Sequence, residues 1–252
     1  MKIILSPAKK MRVDADAVAA ATAPVYVRQA EEILVWLRQQ TGEALQALWK
    51  CNDKITEQNL QRIASMDLSS GLTPAVLAYD GIAYQYMAPA VFEYGHYDYV
   101  QEHLRILSAF YGVLRPMDGV TPYRLEMQAK ASVGEHKDLY AFWGKKIYDA
   151  VRDDSGVIIN LASKEYSKCV EKYLHPDDCY ITCSFVEQAG GKLVTKGTYA
   201  KMARGEMVRY MAENNVEAPE EIKGFNHLGY VFREDLSSDT EYVFERQPNA
   251  QD

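Results

Sequence analysis

Apolar residues along the chain switch between a helical and a strand period, and the switches mark the expected elements. Residues 2–5 form a short apolar run stopped by Ser6-Pro7, which predicts a buried strand. Residues 28–40 put Ala30, Ile33, Leu34 and Leu37 on one helical stripe that ends at Gly42. Residues 43–50 and 56–66 predict two more short helices, and residues 74–79 a strand ending at Asp80-Gly81. Residues 99–110 read as helix with Val100, Leu104 and Leu107 inward, and residues 138–152 as a longer one. Residues 157–161 are β-branched and apolar except for Asn160, as a central strand requires. Ser163 stands where it can cap the next helix, whose stripe is Tyr166, Cys169, Val170, Tyr173 and Leu174. Residues 180–186 and 192–195 flank Gly190-Gly191, a hairpin signal. A helix over 198–212 and short closing strands over 230–233 and 242–246 complete the pattern, with 13–24 read as loop. Helices and strands alternate without regular βαβ spacing. The expected class is α+β: a single domain over 1–252 with a mixed β-sheet surrounded by helices.

Composition narrows the class. With 48% hydrophobic and 25% charged residues the chain is neither disordered nor a coiled-coil rod. No apolar run approaches the roughly 20 residues that span a bilayer, so no membrane contact is expected. The first apolar stretch, Ile3-Ile4-Leu5, is too short for a signal peptide, which predicts a cytoplasmic protein. The four cysteines contain no C-x-x-C pair and are expected to stay reduced. His175, Cys179 and Cys183 share a four-residue spacing, but turn residues between the first two and strand residues after them argue for core filler over metal ligands. No metal or cofactor is expected.

The net charge of −7 lies entirely in residues 212–252, which carry ten acids and three bases. The rest of the chain is balanced, so a basic face remains available. Lys164, Lys168 and Lys172 form one ridge at helical spacing; Lys196, Lys201, Arg204 and Arg209 form another, and Lys9, Lys10 and Arg12 a third. Arg105, Arg115 and Arg124 sit amid apolar residues, where a guanidinium needs a planar partner. That partner is either a phosphate or an internal acid such as Glu126. Eighteen tyrosines, against seven phenylalanines, offer rings that stack on bases, although half-buried sheet edges account for most of them. Residues 99–116 suggest a helix-hairpin-helix, with Ala109 where the motif usually has glycine. Asn160, Lys164 and Glu165 lie at a buried strand end, where they serve either as an orienting amide, a nucleophile or electrostatic clamp, and a general acid or base, or else Ser163 and Glu165 simply cap and charge-complement a helix start. Ser6-Pro7-Ala8-Lys9 leaves another strand end in a similar way.

Six ordered blocks resemble the YaaA family of bacterial peroxide-stress proteins. They are His103-Leu104-Arg105 with Tyr111-Gly112-Val113-Leu114-Arg115-Pro116, Pro122-Tyr123-Arg124-Leu125-Glu126-Met127, and Lys137-Asp138-Leu139-Tyr140 with Phe142-Trp143-Gly144. The others are Ile159-Asn160-Leu161-Ala162-Ser163 with Glu165-Tyr166, Tyr199-Ala200-Lys201 with Ala203-Arg204-Gly205, and Gly224-Phe225-Asn226 with Gly229-Tyr230. The resemblance implies a cytosolic protein induced by hydrogen peroxide, low free iron, limited oxidative DNA damage, and DNA bound in a positively charged cleft. Carried onto this sequence, the cleft candidates are Lys9, Arg105, Arg115, Arg124, Lys168, Lys201 and Arg204. Three positions depart from the family pattern: Lys10 replaces a threonine, Asp80 a lysine and Ala109 a glycine. The alternatives are a base-processing enzyme using Asn160, Lys164 and Glu165, and an iron-handling or interaction protein using the acidic C-terminal residues.

Overall fold

In the computed structural model, which describes residues 1–14 and 18–247, the first half of the chain runs β1 (Lys2–Leu5), β2 (Lys10–Met11), α1 (Val27–Arg38), α2 (Gly42–Trp49), α3 (Asp53–Ser65), β3 (Thr73–Pro74), α4 (Ala75–Ala78), β4 (Tyr79–Asp80), α5 (Ile82–Met87) and α6 (Tyr94–His103). It continues through β5 (Leu104–Ser108), β6 (Gly112–Leu114), β7 (Gly119–Val120), α7 (Leu139–Trp143), α8 (Lys146–Val151), β8 (Val157–Asn160), α9 (Lys164–Glu171), β9 (Cys179–Ala189), β10 (Lys192–Val194), α10 (Gly197–Glu213), β11 (Tyr230–Phe232) and β12 (Glu241–Arg246). Residues 15–17 of the expected loop, and Asp252 of the acidic segment, lie outside the described residues.

The main sheet is mixed, in the order β11-β12-β9-β8-β1-β5-β6, with β10 paired to β9. Its five middle strands are parallel, and the antiparallel strands β11 and β6 close its two ends. β1 is the pivot. Its four residues are buried, and it pairs with β5 on one side and β8 on the other. The chain leaves β1 toward β5, whereas it leaves β8 through α9 toward β9. The two connections therefore diverge at neighbouring strand ends, the kind of switch point where open sheets form a crevice.

Several elements differ from the sequence pattern for identifiable reasons. The apolar run 74–79 is not one strand: α4 makes one buried helical turn between β3 and β4, and apolar runs this short carry no period. Residues 138–152 form two helices because Gly144 adopts φ +50° between them. β12 does not close on its neighbour alone; it also lies parallel to β9. The helix-hairpin-helix expected over 99–116 is not formed there. α6 stops at His103, Leu104 enters β5 beside β1, and β6 returns antiparallel. The turn is held by Ser108 Oγ, which accepts N–H bonds from Phe110 (3.2 Å) and Tyr111 (2.9 Å). Cys183 is buried as expected, but Cys179 opens β9 and is exposed. Among the described residues no three His, Cys, Asp or Glu side chains are grouped to hold a metal, and no helix is long and apolar enough to cross a membrane.

Candidate functional site

A cavity of about 420 Å³ opens at the carboxyl ends of β1 and β8. The loop after β1 supplies Ser6 to Lys9, β2 supplies Lys10, and the β8–α9 junction supplies Leu161, Ser163, Glu165 and Tyr166. The start of α5, the extended segment around Tyr123–Glu126, and Lys201 and Arg204 of α10 complete the lining.

Two close approaches bring these parts together. A Cβ on Gly81 would stand 2.7 Å from the Ala8 Cβ, so glycine lets the loop after β1 lie on the start of α5. A Cβ on Gly205 would stand 1.8 Å from the Ala83 carbonyl oxygen, so α10 rests directly on α5 backbone. Lys201 and Arg204, three residues apart on one face of α10, thereby reach the cavity.

Ser163 does not cap α9 with its side chain. Its backbone N–H instead donates to Ser6 Oγ at 2.8 Å, and Ser6 Oγ donates to Ser163 Oγ at 3.1 Å. This bridge ties the β1 and β8 strand ends to each other. Behind it, the buried hydroxyls of Tyr79, Tyr123 and Ser108 form a chain, with Tyr123 in contact with Tyr79 at 2.8 Å and Ser108 at 2.7 Å. Burial pushes the Tyr123 phenol up to about 12, and Tyr84 and Tyr166 well above the ordinary value, so these groups stay neutral.

The charges in the cavity divide into paired and unpaired sets. Lys9 binds Glu126 at 2.9 Å and Lys10 binds Asp80 at 2.5 Å. The Lys10 ammonium holds the Asp80 carboxyl below its usual value. Two of the departures from the family pattern, Lys10 and Asp80, are thus each other's partners across the β2–β4 pair. Glu165 accepts the Gln128 N–H at 3.1 Å, and burial, reinforced by Glu126, raises its carboxyl above the ordinary value.

Arg124 and Arg204 both line the cavity, and neither forms an ion pair among the described residues. Both keep a buried Nε with no hydrogen-bond acceptor. Among the described residues Arg124 reaches only the Trp49 carbonyl, through Nη2 at 3.5 Å. Burial lowers the Arg204 guanidinium's pKa, and the Cys183 thiol is its ionisable neighbour. A buried guanidinium N–H without an acceptor costs about 1–3 kcal/mol. Arg124 and Arg204 on one cavity, with the exposed Lys201 on the same lining, make a site suited to an anion.

A family model described as peroxide stress protein YaaA matches residues 1–236. The chain belongs to the YaaA family. A UPF0246 protein of Agathobacter rectalis is 66% identical to it over 247 residues, covering 98% of this chain and 99% of the relative. UPF0246 proteins of Lachnoclostridium phytofermentans and Pediococcus pentosaceus are each 51% identical over 244 residues, covering 97% of this chain and 96% and 97% of the relatives.

Of the cleft residues expected in this YaaA-family chain, Lys9, Arg124, Lys201 and Arg204 line the cavity, and Arg105, Arg115 and Lys168 do not. Arg115 pairs with buried Asp118 at 3.1 Å. Arg105 donates through Nη1 to the Gln101 and Leu104 carbonyls at 3.2 and 2.9 Å. Lys168 is exposed on α9. Of the three catalytic candidates only Glu165 lines the cavity. Asn160 is buried, accepting the Ala162 N–H at 2.9 Å and donating to Thr182 at 3.2 Å. Lys164 is paired with Glu171 on the α9 surface at 2.5 Å. Sequence reading passed over Tyr84 and the role of Glu126. Glu126 was legible: in the alternating run Tyr123-Arg124-Leu125-Glu126-Met127 the odd positions are buried, which leaves Arg124 and Glu126 on the other face.

Proposed function

We propose that this protein serves the peroxide-stress response by binding DNA, with a backbone phosphate held in the cavity at the β1 and β8 strand ends. The observation that carries this reading is the pair of guanidinium groups, Arg124 and Arg204, which line one cavity and form no ion pair among the described residues. With Lys201 they put three cations on one cavity that no carboxylate neutralises among the described residues. A phosphate in the cavity would accept from the guanidinium groups that line it, whose planar geometry suits it. Affinity then comes chiefly from phosphate contact and counterion release, with little sequence preference. Contact with the DNA accounts for the limit on iron-dependent oxidative damage that the family resemblance implies.

The test is a fluorescence-anisotropy titration against intact, gapped and bubble duplexes at several salt concentrations. Binding that weakens steeply with salt, and favours the deformable gapped and bubble forms, is expected. Absence of binding to all three at low salt would overturn the reading.

A further inference from the structure

The cavity has features that a site for a bare phosphodiester does not need. At about 420 Å³ it falls within the roughly 300–1,000 Å³ range of small-molecule sites. Beyond its cations it is walled by apolar and aromatic groups: Pro7, Ile82, Tyr84, Tyr123, Leu125 and Leu161. The tyrosines are mostly buried and neutral, and Tyr84 is fixed by donating to the Ser6 carbonyl at 3.0 Å. Glu165 also lines the cavity, without a cation in salt-bridge contact among the described residues. A flat, weakly polar ring carrying N–H donors fits these walls. The lining has three cations without an ion pair among the described residues, and its other charges are Glu165 and the Lys9–Glu126 and Lys10–Asp80 pairs, which leaves charge for about one phosphate.

We infer that the cavity is a mononucleotide pocket, in which one phosphate sits on Arg124, Arg204 and Lys201 and the base occupies the apolar remainder beside Glu165. The inference rests on the nucleic-acid reading above in taking a nucleotide as the ligand. That nucleotide is either free in solution or swung out of a strand, and both present the same phosphate and ring.

Calorimetric titration of the full chain separates these cases. The probes are deoxyadenosine monophosphate, inorganic phosphate, deoxyadenosine, an intact duplex and a duplex with one unpaired nucleotide. The monophosphate should bind one to one, at least tenfold tighter than phosphate or nucleoside alone. Arg204→Gln and Arg124→Gln should each weaken it about tenfold or more, and Lys145→Ala, on a residue paired with Asp149 outside the cavity, should not. Should an arginine variant fail to fold, Lys201→Ala on the exposed rim carries the same comparison. Preference for the unpaired nucleotide over the intact duplex identifies a strand as the source; monophosphate binding without that preference identifies the free nucleotide.

Absence of saturable monophosphate binding, or binding indifferent to the arginine and Lys201 variants, overturns the pocket. Intact-duplex affinity that persists in that case leaves the DNA reading standing. Monophosphate binding with no affinity for either duplex keeps the pocket and overturns the DNA reading.

Discussion

Gly205 of α10 faces the Ala83 carbonyl of α5 so closely that a Cβ on the glycine would stand 1.8 Å from the oxygen. The contact explains why a helix far along the chain contributes to a site at the end of the first strand. It fixes the height of Lys201 and Arg204 over the cavity.

Gly205→Ala should therefore be costly twice over. The colliding atom is backbone, so relief requires moving one helix. A loss of about 3 kcal/mol is expected, a fall in Tm of roughly 6–12 °C for a chain of this size. DNA affinity should fall with it in samples that remain folded. Differential scanning calorimetry and anisotropy on the same preparation check both.

Arg204→Met should act in opposite directions on stability and binding. Methionine fills the buried stem but removes an N–H without an acceptor. The unliganded protein should gain about 1 kcal/mol, raising Tm by roughly 2–4 °C, while anion affinity drops. A variant that lost both would show Arg204 to be held by contacts of structural weight.

Glu165 makes a pH prediction. Burial, with Glu126 acting in the same direction, raises its carboxyl above the ordinary 4.5. The fold thus favours the protonated form. Its contribution to stability is complete below the unfolded pKa and is lost as pH rises through the higher folded value. Glu165→Gln keeps an oxygen to accept the Gln128 N–H and abolishes that loss. The stability gained by the variant should be smallest below pH 4.5 and grow toward neutrality. Urea unfolding of both proteins across that interval measures it, and a gain that shrinks as pH rises would contradict the assignment.

Arg115→Ala should separate structural from phosphate-binding arginines. Asp118 is 1% exposed and accepts from Thr22 Oγ1 at 2.6 Å and the Arg115 N–H at 2.8 Å as well as from the guanidinium. Removing the guanidinium leaves a buried carboxylate short of a partner. The cost should be about 1–3 kcal/mol, read by chemical unfolding, with DNA affinity unchanged.

The sequence made the outer helices, β1, β8 and the β9–β10 hairpin legible, because each has one period over its length and a clear stop. It misled where a buried apolar run continues directly from a helix with no stop residue between them. Leu104 to Ser108 form a buried strand, parallel to β1 and antiparallel to β6, whose apolar run also fits a helical stripe, so the pattern alone continues the helix through it. Four of seven expected cleft residues line the cavity because they lie in the loop after β1, in the extended segment after β7, or on the α10 face aimed there. Arg105 and Arg115 looked equivalent to Arg124 by composition. Only their tertiary partners, backbone carbonyls and Asp118, separate them. The Ser6–Ser163 bridge spans 157 residues of chain, and no local pattern announces such a contact.

The central claim is that phosphate is held by the unpaired cations of the cavity. Its most direct test is the salt dependence of DNA affinity for the Arg124→Ala/Lys201→Ala double variant, set against the wild type and Arg115→Ala. The account predicts a plot of log affinity against log salt shallower by about 1 for the double variant, for the one phosphate contact removed, with no change for Arg115→Ala. Equal slopes for all three proteins would place the DNA elsewhere and contradict it.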